Sequence, residues 1–168
     1  MHSSNAAENR RQRFDRVVAE YHQDMYRYAA WLSRDQAIAQ DVVQEALLRA
    51  WKSLDNLRDQ GSAKQWLLTI VRRENARFFE RKRLETVDID DLTPTQEALL
   101  GVEDNNELDD LRKAIYELDD DYREPLVLQV LMGYSTNEIA EQMGLSQAAV
   151  LTRLHRARAR LRDKMAQA

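Results

Sequence analysis

The sequence predicts an all-α protein made of two small helical domains joined by an acidic linker. Three observations lead there. Of 168 residues only four are glycine and two are proline, which disfavours a turn-rich β architecture. Apolar residues recur at three- and four-residue steps over long stretches. Charge is segregated along the chain. Residues 1–83 carry 16 basic and 11 acidic groups, residues 84–110 carry 0 and 10, and residues 111–168 carry 9 and 8. The net charges of +5, −10 and +1 sum to the overall −4. Two neutral-to-basic blocks therefore flank an acid-only segment. Nucleic acid responds to such local fields rather than to the sum.

The boundaries follow as 10–83 for the first domain, 84–107 for the linker and 108–166 for the second domain. In the first, Phe14, Val17, Val18, Tyr21, Met25, Tyr28 and Leu32 form one helical stripe, and Ser33-Arg34-Asp35 reads as its break. A second helix carries Val43, Ala46, Leu47, Ala50 and Leu54 on one face. Residues 57–62 (LRDQGS) read as a loop, with Gly61 free to take positive φ and Ser62 placed to cap the next helix. That third helix runs over about 63–83, with Leu67, Ile70, Val71 and Phe78 as its apolar side. Three such helices make a compact bundle. The linker has no sustained period, contains Pro94 and Gly101, and is expected to be extended or only locally helical. The second domain resumes with Leu108, Leu111, Ile115 and Leu118, and Pro125 suits the first turn of a further helix.

Residues 134–162, YSTNEIAEQMGLSQAAVLTRLHRARARLR, read as a helix-turn-helix. Ser135 or Thr136 caps the first helix, with Glu138 completing a capping arrangement. Gly144 sits where a left-handed residue ends that helix, and Ser146 caps the second. Ile139, Ala140, Met143, Leu145, Val150 and Leu154 supply the apolar side. Five arginines and no acid lie between Arg153 and Arg162. Gln147, Leu151, Thr152, Arg153, His155 and Arg156 are candidates for the groove side, where arginine reads guanine edges bidentately. Arg158, Arg160 and Arg162 are candidates for phosphate contact, or else for a solvated basic helix end.

Several classes are disfavoured. No cysteine is present, which removes disulfides and thiolate metal sites and fits a reducing cytoplasm. The three histidines, His2, His22 and His155, are scattered, and no carboxylate pair or glycine-rich phosphate loop is evident. No catalytic residue, metal or cofactor is expected. The N-terminal MHSSNAAENRRQR lacks an apolar core, and no apolar run reaches the roughly 20 residues of a membrane span. A cytoplasmic protein without membrane insertion is the expectation.

Taken together, DVVQEALLRAW (41–51), WLLTIVRRENARFFERKR (66–83) and the helix-turn-helix resemble the bacterial sigma-70 family of RNA polymerase initiation factors. More narrowly, the chain is similar to the two-domain extracytoplasmic-function (ECF) group, with the first domain like sigma region 2 and the second like region 4. The resemblance runs over about 14–165. It implies a factor that brings core polymerase to promoters, recognises the −35 and −10 elements and helps melt DNA. Asp41, Gln44 and Glu45 match the family's DxxQE, which docks on a coiled coil of the polymerase β′ subunit. Leu47 and Trp51 are placed on the same exposed side, with Trp51 open between interface anchor and bundle core. For the −10 element the resemblance points to the loop and the third helix, through Arg58, Asp59, Lys64, Arg72, Arg73, Asn75 and Arg77. Opening DNA needs cationic contact with the strand and a place for an unstacked base. Helical spacing favours core packing for Trp66 and Phe78 and leaves Phe79 open between core and stacking. For the −35 element it points to Gln147, Thr152, Arg153, His155, Arg156 and Arg158. The chain departs from many relatives at Arg72-Arg73, where smaller or amide side chains are common, and at Leu151, where a basic one is common. The implied partners are the β′ coiled coil and β flap of core polymerase, the latter through apolar surface near 126–132, together with promoter DNA and an anti-sigma factor. The acidic linker is implied to thread the polymerase toward its RNA-exit path. The competing reading is a stand-alone helix-turn-helix regulator that dimerises through its N-terminal bundle.

Overall fold

The computed structural model describes residues 2–85 and 106–167, with side chains from 4 to 85 and from 107 to 167. Among them every regular element is helical. The described residues form two compact units, one from 2–29 and 37–85, the other from 30–36 and 106–167. The acidic linker assigned to 84–107 falls almost wholly outside the described residues.

The first unit is built from α1 (His2–Ser33) up to residue 29, α2 (Gln36–Lys52) from residue 37, and α3 (Ala63–Glu85). The α1 stripe buries Val17, Met25 and Tyr28 as its period requires, while the α2 face buries Val42, Val43, Ala46 and Ala50. Leu67, Leu68 and Val71 of α3 close the core. α1 ends where the sequence breaks, with Arg34 in the left-handed region (φ 58°) and the Ser33 hydroxyl donating to the Asp35 carbonyl at 2.9 Å. Between α2 and α3 the chain makes two single 3₁₀ turns, Leu54–Asn56 and Gln60–Ser62. Leu54 and Leu57 are buried beneath them. Capping here differs from expectation. The Asp59 carboxylate accepts from the Gly61 amide (3.0 Å), and the Ser62 hydroxyl donates back to the Asp59 carbonyl (2.9 Å). The Asp59 carboxylate, two residues beyond the buried Leu57, caps the 3₁₀ turn Gln60–Ser62 that leads into α3, and Ser62 closes that turn rather than capping α3 by its side chain.

The second unit contains α4 (Asn106–Tyr116), α5 (Asp120–Val130), α6 (Thr136–Met143) and α7 (Gln147–Ala166). Leu118, Leu126, Leu128, Met132, Ile139, Val150, Leu154 and Ala157 form its core. Pro125 lies inside α5, not in its first turn. The helix starts earlier because two acids, Asp120 and Asp121, favour its positive N-terminal end, and proline then removes one backbone hydrogen bond from the interior. Arg123 is only 3% exposed. It donates to the carbonyls of Tyr116 (3.1 Å) and Leu118 (2.9 Å) and pairs with Asp120. Those carbonyls lie at the end of α4, where no intrahelical donor remains. Burial pushes the Arg123 pKa below the ordinary arginine value. α6 starts with a capping box, Ser135 Oγ accepting from the Glu138 amide (3.2 Å) while Glu138 reaches back to the Ser135 amide (3.3 Å). It ends at Gly144 with φ 66°, and Ser146 Oγ accepts from the Ala149 amide (3.1 Å) to start α7. The helix-turn-helix forms by the caps and glycine its sequence supplies.

Candidate functional site

Three surfaces carry the residues singled out above. The first is a groove of about 350 Å³ between α2 and α3, lined by Asp41, Gln44, Glu45, Glu74, Phe78 and Lys82 among others. Residues 41, 45 and 48 are related by four and then three positions, so one face of α2 presents them together. Asp41, Gln44 and Glu45 are exposed, and Leu48, 56% exposed, is the apolar member of that face. Leu47 is half-buried, a correction to its placement on the exposed side. One residue of helical phase, 100°, separates the two leucines. Across the groove Lys82 sits over the Phe78 ring at 5.7 Å, and Phe78 meets Phe79 edge-on at 5.4 Å. All three aromatics of α3 (Trp66, Phe78 and Phe79) are half-buried.

Glu74 lines the groove wall with only 4% exposure, which sequence reasoning missed. Its Oε1 accepts from Arg49 Nε at 3.0 Å and Arg77 Nη1 at 2.9 Å. A buried carboxylate is tolerable only when paired and hydrogen-bonded, and two guanidinium groups supply that. Of the cations proposed for −10 DNA, Arg77 is thus tied to Glu74. The available signal was Glu74 at i−3 to Arg77, on the apolar side with Val71 and Phe78.

Trp51 is 37% exposed but not free. Phe14 meets its ring edge-on at 5.2 Å and the Arg10 guanidinium lies 4.8 Å from its centroid. The indole serves as a seat for α1, a third outcome between bundle core and open anchor.

The second surface is the loop and the outer face of α3. Arg58, Arg73 and Arg77 are exposed, while Lys64, Arg72 and Asn75 are half-buried. Asp59 lies beside Arg58, and its carboxylate is engaged in capping.

The third is α7. Its core side holds Val150, Leu154 and Ala157. A second stripe faces acids of α5 and of the turn between α4 and α5. Arg153 pairs with Asp121 at 3.1 Å, Arg160 with Asp119 at 2.7 Å, and Lys164 with Glu117 at 2.9 Å. Arg160 also lies over the Tyr122 ring at 4.4 Å. Arg158 bonds Gln129, and Gln147 bonds Asn137. The outward strip comprises Ala148, Leu151, Thr152, His155 and Arg156, all exposed. The Thr152 hydroxyl donates to the Ala148 carbonyl at 3.0 Å. The arginine ladder therefore divides, with Arg156 and Arg162 solvent-facing and Arg153 and Arg160 matched to acids of the same unit. In the apolar segment 126–132, Leu126, Val127, Leu128 and Met132 are core, and Val130 and Leu131 are its exposed part.

Among the described residues no cluster of His, Asp or Glu could hold a metal ion, and no helix is long and apolar enough to cross a membrane.

Comparisons with known proteins identify the family of the two units. Residues 17–85 match the sigma-70 region 2 family model and residues 108–161 match sigma-70 region 4. The chain is 35% identical over 140 residues to the ECF RNA polymerase sigma factor SigL of Mycobacterium tuberculosis, covering 78% of this chain and 76% of that one. It is 33% identical to the probable RNA polymerase sigma factor RfaY of Xanthomonas campestris, covering 96% of this chain but spanning only 42% of that relative's length. Among solved structures it resembles the sigma factor RpoE bound to the anti-sigma factor NepR from Bartonella quintana, with TM-score 0.78, 26% identity and coverage of 92% and 97%. It also resembles CnrH in complex with the cytosolic domain of CnrY, with TM-score 0.67, 27% identity and coverage of 98% and 94%. Both domain models in order on one chain, with relatives matched across most of both lengths, show that the chain belongs to the ECF group of sigma-70 RNA polymerase sigma factors.

Proposed function

We propose that this sigma factor holds core polymerase through the Asp41, Gln44 and Glu45 face of α2, with Leu48 as its apolar contact. The loop at 57–64 and the exposed cations of α3 then engage and open the −10 element. The outward strip of α7 reads the −35 element through Thr152, His155 and Arg156, with Arg153 available once it leaves Asp121. The chain works by binding rather than catalysis, in the cytoplasm, and an anti-sigma factor regulates it, as the RpoE–NepR complex suggests by analogy. The observation that carries the reading is the pairing, in one chain, of an acidic groove face with a helix-turn-helix whose second helix keeps an open, cationic strip.

Immobilised core polymerase is expected to retain the chain. Glu45→Lys should weaken that retention by about tenfold or more while leaving helicity unchanged, the scale of losing a charged interface contact. A chain that never binds core would instead fit the stand-alone regulator.

A further inference from the structure

We propose that the N-terminal turns of α1 belong to the −10 apparatus, with Arg13 as the positioning residue for the loop at 57–62. The inference rests on the reading of that loop as promoter-facing.

Arg10, Arg13 and Phe14 stand at i, i+3 and i+4, on one face of one helical turn. All three meet residues 51–57. Arg10 Nη2 donates to the Trp51 carbonyl at 2.6 Å, and its Nε lies 3.8 Å from Asp55. Arg13 Nη2 donates to the Leu57 carbonyl. Phe14 closes on the Trp51 ring.

The two carbonyls are not arbitrary. Trp51 is in the last turn of α2, where carbonyls lack helical donors. Leu57 is the C-cap of the turn Leu54–Asn56, with extended backbone (φ −78°, ψ 97°), so its carbonyl also points away from helical partners. Guanidinium groups from α1 satisfy both. Beyond Leu57 the loop ties itself together through Asp59, which accepts from the amide of Gly61 by its side chain and from that of Ser62 by its backbone (3.2 Å). Leu57 is buried, and Arg13 fixes the direction in which its carbonyl leaves. That peptide sets the course of Arg58 and Asp59, one and two residues on. Arg13 touches no nucleotide in this scheme. It acts by holding the plane from which Arg58 projects.

The test uses the full-length chain. Arg13→Met keeps the aliphatic stem and removes the donor, and Arg13→Lys restores charge and one flexible donor. Amide hydrogen exchange at Gly61 and Ser62 is read with and without the substitution, and open-complex formation with core polymerase is read by thymine reactivity in the −10 region. Arg13→Met is expected to speed exchange at Gly61 and Ser62 about tenfold, with α7 amides unchanged, as local opening demands when a charged hydrogen bond is lost. Promoter opening should fall about fivefold at unchanged affinity for core, and Arg13→Lys should recover part of both. Wild-type exchange rates in Arg13→Met would overturn the brace. Faster exchange with undiminished opening would overturn the positioning role. If the unmodified chain opens no promoter, the reading of the loop fails and the positioning role with it, while exchange still decides the Arg13 contact.

Discussion

If α7 reads DNA as proposed, Asp121 competes with DNA for Arg153, and its removal is expected to give a measurable gain. The pair stands at 3.1 Å with the Asp121 side chain largely exposed and the Arg153 side chain 29% exposed. In water-like dielectric two charges at this separation attract by roughly 1 kcal/mol. Exposed pairs measured in proteins are worth about 0.2–1 kcal/mol after screening and side-chain ordering. Arg153 must give up that amount before it meets a phosphate or base edge. Asp121→Asn removes the competitor, keeps the shape, and costs the α5 start about 0.5 kcal/mol of helix-dipole stabilisation, too little to unfold the unit. Affinity for a −35 duplex should therefore rise about 1.5- to fivefold at low salt. If Arg153 then meets a phosphate, the slope of log K against log salt should steepen by about 0.9. Fluorescence anisotropy across a salt series reads both. The double variant Asp121→Asn, Arg153→Ala should show neither gain, because Arg153 is the group set free. Weaker binding in Asp121→Asn would refute the reasoning and mean that Asp121 aims Arg153 at the groove. An unchanged slope with unchanged affinity would mean that Arg153 stays away from DNA.

Other consequences follow from single residues. Arg156→Ala removes an outward guanidinium that no acid among the described residues engages, and should weaken −35 binding by about 1–3 kcal/mol, read by competition against a scrambled duplex; equal binding would remove it from the interface. Arg123→Met leaves buried carbonyls at Tyr116 and Leu118 without a donor and is expected to destabilise the second unit by about 3 kcal/mol in urea unfolding, a value under 1 kcal/mol being incompatible with its role. Gly144→Ala meets no atom within 4 Å, so its cost is purely that of φ 66°, about 1–2 kcal/mol in thermal unfolding. Tyr116 has its pKa raised, chiefly by burial, so the proton is held more tightly folded than unfolded. Stability from this group is complete below the unfolded value near 10 and should decline as pH rises through the higher folded value, which urea midpoints across that alkaline range can read.

The helix-turn-helix was legible because its determinants are local. Ser135, Glu138, Gly144 and Ser146 each act within four residues, and Val150 and Leu154 repeat at helical spacing. What escaped needs partners distant in sequence. Arg153, Arg160 and Lys164 share a stripe that can be counted from spacing, but Asp121, Asp119 and Glu117 lie 32 to 47 residues away, so spacing alone cannot separate paired arginines from open ones. Glu74 is the same case, since its burial depends on Arg49 of another helix. Trp51 resisted a two-way reading because α1 extends far enough back to lay Arg10 and Phe14 on it. Leu47 was misplaced by phase, a slip that an amphipathic pattern tolerates when Leu47 and Leu48 are adjacent and alike.

Run-off transcription with purified core polymerase, on templates that differ only in their −35 and −10 elements, probes the account most directly. A defined start site that requires this chain, disappears with Glu45→Lys and shifts in strength with the −35 sequence through Arg156 is the expected result. Transcription that begins without preference among templates, or no dependence on the chain at all, contradicts it.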